Sequence, residues 1–346
     1  MIFFDATKSA AGAHRSGLMR VSARLRGELG AAATSVAWES WDRSAGPSDW
    51  FLTAELFSEA ERPGLAGFLA GRRCRAAAIF HDLIPLRFPH TTWPRSVARH
   101  PEYVKLLARF DRVWADSAAS RDDLLAFWRW QGIERPPPVD VLALGADFNG
   151  SPRATAPRAP AGGAPALLCV GIVEPRKNQA LLLDVCETLW GEGRSFELHV
   201  VGRVNPHFGR PIARRMRSVA RRRPGLLFHP EASDGELSAL YARARASVFP
   251  SLAEGCGLPV LESLWMGVPC ICSDLPVLLE NARGGGCLWV PPDDPPAWAS
   301  ALRRILDDDA LAGRLAAEAS SRPLPTWAAA ARSLSCSLFK ACEAGP

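Results

Sequence analysis

Two carboxylates eight residues apart, Glu254 and Glu262, enclose a Gly-Cys-Gly-Leu-Pro run. The stretch Phe249-Pro250-Ser251-Leu252-Ala253-Glu254-Gly255-Cys256-Gly257-Leu258-Pro259-Val260-Leu261-Glu262 reads as a β run that enters a loop and then a helix. Pro259 suits the first helical position, where its missing N–H costs nothing. Gly267 suits the far end, just past Met266. Such a junction favours an anion, because glycines let the backbone approach a ligand and the free N–H groups of a helix start point at it. A helix terminus contributes only about 0.3–1 kcal/mol to an exposed charge, and up to about 2 when partly buried. A diphosphate therefore needs cations from elsewhere. Carboxylates beside it would accept sugar hydroxyls. The bland alternative is one loop acid and one helix-surface acid.

Cations are available in Val170-Gly171-Ile172-Val173-Glu174-Pro175-Arg176-Lys177-Asn178, which follows an apolar strand and opens a helix. Arg176 and Lys177 would oppose the dipole of that helix, which makes a purely solvated helix start uncomfortable. Only four of the 41 basic residues are Lys, so Lys177 stands out against an Arg-rich background. A third candidate, His81 in Phe80-His81-Asp82, ends another strand. It reads either as a structured turn residue or as a hydrogen-bonding partner for a ligand. Asp82 reads as a support for the imidazole or as a cap of the following turn.

Strand–helix alternation must position these groups. In the first half, strands are expected at 51–53, 76–80, 113–115 and 139–144, and helices near 18–30, 95–110 and 118–131. Residues 151–165 are rich in Pro, Ala and Gly without apolar periodicity, which marks a linker. Strands are then expected at 166–171, 196–201, 226–229, 246–249 and 268–272. Helices are expected at 177–190, 210–222, 234–243, 259–266, 295–306, 308–320 and 326–342. The fold class is α/β, with two doubly wound Rossmann-like domains, 1–150 and 166–325. A C-terminal helix, 326–346, is free to cross back to the first domain. Ligands bind at the carboxyl ends of strands in such sheets, so a cleft between the domains is expected to hold them.

Composition excludes other classes. No apolar run approaches the roughly 20 residues that span a bilayer. The start MIFFDATKSA lacks the basic beginning and longer apolar run of an export signal, so a cytoplasmic location is expected. Nine Cys occur without a CxxC pair, which suits a reduced protein with buried thiols. The net charge of +5 divides almost evenly between the halves. Neither half is charged enough to suggest a polyanion partner, and no nucleic acid is expected. The arginines at 214, 215, 217, 221, 222 and 223 read as a solvated helix face, with acidic lipid or nucleic acid as the alternative. Trp38, Trp41 and Trp93 could stack on sugars or simply pack.

The residues closely resemble glycosyltransferase family 4, a group with the two-domain GT-B fold. The most specific mark is the Glu-x7-Glu pattern at Glu254 and Glu262 within PSLAEGCGLPVLES. VGIVEPRKN resembles the family's phosphate-binding turn, and the likeness continues through Gly202-Arg203, Ser233–Ala244 and Val268–Glu280. Ser16-Gly17-Leu18-Met19-Arg20 resembles its early Gly loop. Phe80–Leu86 resembles a phrase of its bacterial mannosyltransferase-like branch, and Leu144–Asp147 resembles the close of its first domain. Many relatives carry Arg where this chain has Ile172, and here Arg176 follows four residues later.

The resemblance implies a retaining hexosyltransferase that needs neither cofactor nor metal. Its substrates would be a nucleotide sugar and a saccharide or lipid-linked saccharide acceptor in bacterial surface polysaccharide synthesis. GDP-mannose is the first expectation for the donor, ahead of UDP- and dTDP-sugars. Arg176 and Lys177 would neutralise the donor diphosphate, with backbone N–H groups from Gly257 and Leu258. Glu254 would hold the donor sugar, Glu262 the ribose, and His81 would sit beside the sugar. Gly17 and Arg20 would border the acceptor and phosphate region. Lipid-linked acceptors would add peripheral contact at the inner face of the membrane. The competing readings are a nucleotide-sugar epimerase on the same fold, and a non-enzymatic module that binds anionic surfaces or nucleic acid through the Arg cluster.

Overall fold

The structure, a computed structural model, describes residues 1–9, 17–156 and 163–343, the side chains of 340–343 excepted. Ser16 and linker residues 157–162 therefore lie outside the described residues. The chain divides into two compact units, Met1–Gly145 with Pro325–Pro346, and Ala146–Leu324.

In the first unit the order is β1 (Ile2–Asp5), α1 (Gly17–Leu29), β2 (Ala33–Val36), β3 (Trp50–Thr53), α2 (Leu65–Gly71) and β4 (Arg75–Phe80). Then come α3 (Ile84–Arg87), α4 (Pro94–Leu107), β5 (Arg112–Ala115), α5 (Ala118–Trp130) and β6 (Val139–Val141). The six strands form one parallel sheet in the order β2-β1-β3-β4-β5-β6. The interior strands β3, β4 and β5 are buried on both faces and read as near-continuous apolar runs.

The second unit holds β7 (Ala166–Val170), α6 (Gln179–Gly191), β8 (Glu197–Val201), α7 (Arg210–Arg222), β9 (Leu226–His229), α8 (Asp234–Arg243) and β10 (Ala244–Phe249). It continues with α9 (Leu258–Trp265), β11 (Cys270–Ser273), α10 (Pro276–Ala282), β12 (Cys287–Val290), α11 (Pro295–Asp307) and α12 (Asp309–Ser321). Its parallel sheet runs β12-β11-β10-β7-β8-β9. Residues 151–156 are fastened to this unit: the Trp265 indole N–H donates to the Ser151 carbonyl, and the Arg153 guanidinium donates to the carbonyls of Leu264, Ala319 and Arg322.

The last helix, α13 (Trp327–Glu343), belongs to the first unit. It buries Trp327, Ala330, Ala331, Leu334 and Leu338, the three-and-four spacing of a core-facing stripe. That stripe meets α1, which buries Val21, Leu25 and Leu29. The Trp50 indole on β3 donates to the Leu338 carbonyl at 3.0 Å, tying the helix to the sheet. Each buried Leu contributes about 1.5–3 kcal/mol relative to exposure.

The Arg-rich helix α7 buries only Ala213, Met216 and Val219. Arg215 and Arg222 form ion pairs with Asp184 and Glu187 on α6, and the remaining arginines from 214 to 223 lie on the exposed side. Among the described residues no helix is long and apolar enough to cross a membrane.

Candidate functional site

In the second sheet, β7 lies between β10 and β8, and successive strands run away from it in opposite directions. The loops after β7 and β10 diverge there, and such a switch point is where open α/β sheets bind ligands. Both loops carry the residues singled out by the sequence.

The loop after β7 differs locally from expectation. Pro175–Lys177 form a separate tight turn, and α6 begins only at Gln179. Asn178 lies between them at φ 54°, a left-handed conformation that Asn tolerates. Arg176 and Lys177 thus precede the helix instead of standing in its first turn. Close approach by the neighbouring loop depends on Gly202 after β8, where a Cβ would lie 2.1 Å from the Gly171 carbonyl oxygen.

Four charged side chains converge at this point. The Lys177 ammonium donates to Glu254 Oε1 at 2.5 Å. Arg176 donates to Glu174 at 2.7 Å and to the Ala253 carbonyl at 2.7 Å, and lies 3.4 Å from Glu254. Asn205 donates to the other Glu174 oxygen at 2.8 Å. The Leu252 N–H to Arg176 carbonyl bond, 2.8 Å, joins the two loops. Lys177 also sits 4.6 Å from the Phe249 ring centre, a cation–π contact. Side-chain exposures of 8% for Glu254 and 10% for Lys177 rule out the loop-surface reading. Burial lowers the Lys177 pKa below its ordinary value. Burial alone would raise that of Glu254, but the Lys177 and Arg176 charges more than offset it and hold the carboxyl below its usual range.

The loop after β10 ends at Gly257, φ 74°, where a Cβ would meet the Leu278 side chain at 2.5 Å. Only glycine fits both the conformation and the space. Asn281 on α10 donates to the Cys256 carbonyl at 2.6 Å and braces the turn. Leu258 opens α9, which places Pro259 at the second helical position rather than the first. Glu262 lies one turn further and is only 4% exposed, so it is no helix-surface acid.

His81 belongs to the first unit and is 6% exposed. Its Nε2 faces the Ala54 carbonyl at 2.9 Å, and its Nδ1 faces Asp116 Oδ2 at 3.3 Å. A carbonyl only accepts, so Nε2 carries a hydrogen and donates. One proton then lies between Nδ1 and the Asp116 carboxyl. Burial pushes Asp116 up to about 6. Burial would lower His81, but the hydrogen bond and charge of Asp116 raise it above the ordinary value. The sequence reading missed Asp116, although β4 and β5 pair Phe80 with Ala115, and the next residues on each strand are His81 and Asp116. Asp82 caps the turn, its Oδ1 accepting from Ile84 N–H at 2.9 Å.

Gly17 is exposed and Arg20 half-buried on the first turn of α1. Trp38 and Trp41 pack in a buried aromatic group with Phe51 and Phe68, whereas Trp93 is 44% exposed. The run Asp307-Asp308-Asp309 has the Asp-x-Asp spacing of metal-held diphosphates, but it sits at the α11–α12 junction. There Asp307 pairs with Arg194 and Asp308 caps α12.

Residues 164–308 match the family described as Glycosyl transferases group 1. The second unit belongs to that family. The group 1 segment contains Arg176, Lys177, Glu254, Gly257, Leu258 and Glu262, while His81, Gly17 and Arg20 lie outside it. The serotype-specific mannosyltransferase WbdA of Escherichia coli is 32% identical over 247 residues, 67% of this chain and 30% of that protein. The O-antigen chain mannosyltransferase B of Escherichia coli is 32% identical over 261 residues, 70% of this chain and 64% of that protein. The chain thus spans about 30% of the length of WbdA. HepE of Anabaena, solved with UDP and glucose, aligns over 97% of this chain and 98% of its own, with TM-score 0.72 and 14% identity. Sucrose-phosphate synthase of Thermosynechococcus elongatus aligns over 86% and 74%, with TM-score 0.67 and 20% identity. At those identities the likeness shows the fold, GT-B, with two parallel six-stranded sheets.

Proposed function

We propose that this chain is a retaining, metal-independent glycosyltransferase that moves mannose from GDP-mannose to a saccharide or lipid-linked saccharide in bacterial surface polysaccharide synthesis. The observation that carries the reading is the Lys177–Glu254 pair at the switch point of the second sheet, beside the helix start at Leu258. The named activities of WbdA and the O-antigen mannosyltransferase favour mannose, and HepE holds UDP and glucose on the same fold.

In this mechanism the donor enters by exchange. Its diphosphate takes Lys177 and Arg176 from Glu254 and Glu174, assisted by the Gly257 and Leu258 N–H groups. Glu254, released, accepts hydroxyls of the sugar, and Glu262 accepts those of the ribose. The bond from the anomeric carbon to the phosphate oxygen breaks while the bond to the acceptor oxygen forms on the same face. The acceptor proton passes to the departing phosphate oxygen, and the two cations stabilise the charge left there. His81 reaches the sugar by exchanging the Ala54 carbonyl for a sugar hydroxyl, with Asp116 steadying the imidazole. Gly17 and Arg20 border the acceptor. The reaction belongs at the cytoplasmic side of the membrane, in peripheral contact when the acceptor is lipid-linked.

A thermal-shift panel of GDP, UDP, dTDP and ADP tests the reading. A nucleotide at 100 times its Kd stabilises by about 2.7 kcal/mol, and GDP is expected to raise the melting temperature most. Failure of all four to do so would remove the donor-site assignment. A larger shift with UDP would keep the site and replace the donor.

A further inference from the structure

The first sheet has a switch point of its own. Strand β1 lies between β2 and β3, so the loops after β1 and β3 diverge there. A buried ion network fixes the start of both loops. Arg62, fully buried, donates to Asp5 at the end of β1 and to Glu55 just after β3, at 2.8 and 2.6 Å. The Glu55 carboxylate accepts the Lys8 and Ser9 N–H groups at 2.8 and 2.7 Å.

Above this network is a pocket of about 100 Å3 lined by Lys8, Glu61, Arg95, Arg99, Tyr103 and their neighbours. One water needs roughly 10–15 Å3 of such space, so the pocket has room for a compact polyatomic group. Glu61 binds Lys8 at 2.9 Å and Arg99 at 3.2 Å, which holds both cations at the pocket. Arg95 has no carboxylate in ion-pair reach among the described residues. With the network beneath included, the four cations Lys8, Arg62, Arg95 and Arg99 face the three carboxylates of Asp5, Glu55 and Glu61, which leaves a surplus of one positive charge. Tyr103 on the wall is 2% exposed, and its hydroxyl has no hydrogen-bond partner among the described residues. Burial and the nearby Asp82 and Asp116 charges raise its pKa, which keeps the hydroxyl protonated and able to donate.

We infer that this pocket binds a phosphate group carried by the acceptor. An anion matches the surplus charge, a compact tetrahedral oxyanion matches the space, and Arg95, joined by Arg99 in exchange for Glu61, engages it from the rim in the bidentate manner of Arg–phosphate pairs. The inference rests on the transferase reading for the word acceptor, but the phosphate site stands on the pocket. Its phosphate could come from a soluble sugar phosphate or from the diphosphate of a lipid carrier.

The test is calorimetric titration of the full chain saturated with GDP, which occupies the second unit. The probes are inorganic phosphate, glucose 6-phosphate, and polyprenyl diphosphate in detergent micelles. The expected result is salt-sensitive binding that weakens at least tenfold in Arg95→Gln/Arg99→Gln, both exposed positions, while the GDP thermal shift is unchanged. Tighter binding of glucose 6-phosphate assigns a soluble acceptor, and tighter polyprenyl diphosphate assigns a lipid-linked one. No binding of any probe, or equal binding by the double variant, overturns the site. Phosphate binding without any nucleotide shift leaves the site intact and removes the transferase reading instead.

Discussion

The two switch points share a topology and differ in their charge. In the second unit, Arg176 and Lys177 meet Glu174 and Glu254, and the cluster is neutral and nearly buried. In the first, the buried Asp5–Arg62–Glu55 network carries an extra carboxylate, while the pocket above it carries surplus cations. A neutral buried cluster exchanges partners when an anion arrives, because each cation it surrenders to the ligand releases a carboxylate to do other work. A cationic pocket adds the anion to its surplus charge. The contrast separates a site that reorganises around a reacting donor from one that anchors a substrate.

The strongest challenge to this contrast is Lys177→Met. It leaves Glu254 buried without its nearest cation, and breaking a buried pair costs about 3–5 kcal/mol. Chemical denaturation should show that loss, and Lys177→Met/Glu254→Gln should recover most of it. If the single variant is as stable as the parent, the cluster is not the tight pair described. Next in size is Glu254→Gln. Loss of one preorganised partner in the transition state costs about 10²–10³-fold in turnover. Because Glu254 competes with the diphosphate for Lys177, GDP affinity should hold or tighten. A large loss of GDP affinity with intact turnover would reverse the assigned roles.

A smaller effect concerns the His81–Asp116 pair. Both folded pKa values lie above their ordinary values, so the folded state binds more protons than the unfolded one. Stability from this pair is therefore full below pH 4 and lost as pH rises through about 6 and the His81 titration. Melting curves from pH 4 to 8 should show that fall, and Asp116→Asn should flatten it. An unchanged slope in the variant would mean the pair does not share a proton. The smallest effect is expected at Arg214→Gln/Arg217→Gln on the exposed face of α7, within about 0.5 kcal/mol for surface positions and with GDP binding unaltered.

Much of the second unit was legible in the sequence. The helix predicted at 210–222 and the strand at 226–229 coincide with α7 and β9, because strong apolar spacing and flanking turn residues coincide there. Short or polar elements escaped. β2 is Ala-Thr-Ser-Val on a sheet edge, half exposed and without an apolar run. β1 is four residues that end in Asp5, whose carboxylate accepts from Thr7 close by but takes its other partners, Arg62 and Thr53, from far along the chain. Glu254 and Lys177 could be singled out from local motifs, but their 2.5 Å contact spans 77 residues and needs β7 beside β10. Asp116 was missed for the same reason, since only the β4–β5 register brings it to His81. The surplus charge of the first-unit pocket is likewise assembled from three separate loops and helices, and no segment announces it.

The central claim is that the switch point of the second unit grips a nucleoside diphosphate through its two cations. Calorimetric titration of GDP into the parent and Arg176→Gln tests this directly, with a denaturation curve of each to establish that the variant, which loses the pair to Glu174, is folded. Hydrogen bonds to charged groups contribute about 1.5–3 kcal/mol, so the account predicts a Kd weaker by about tenfold to a hundredfold. Equal GDP affinities in the two proteins would contradict it.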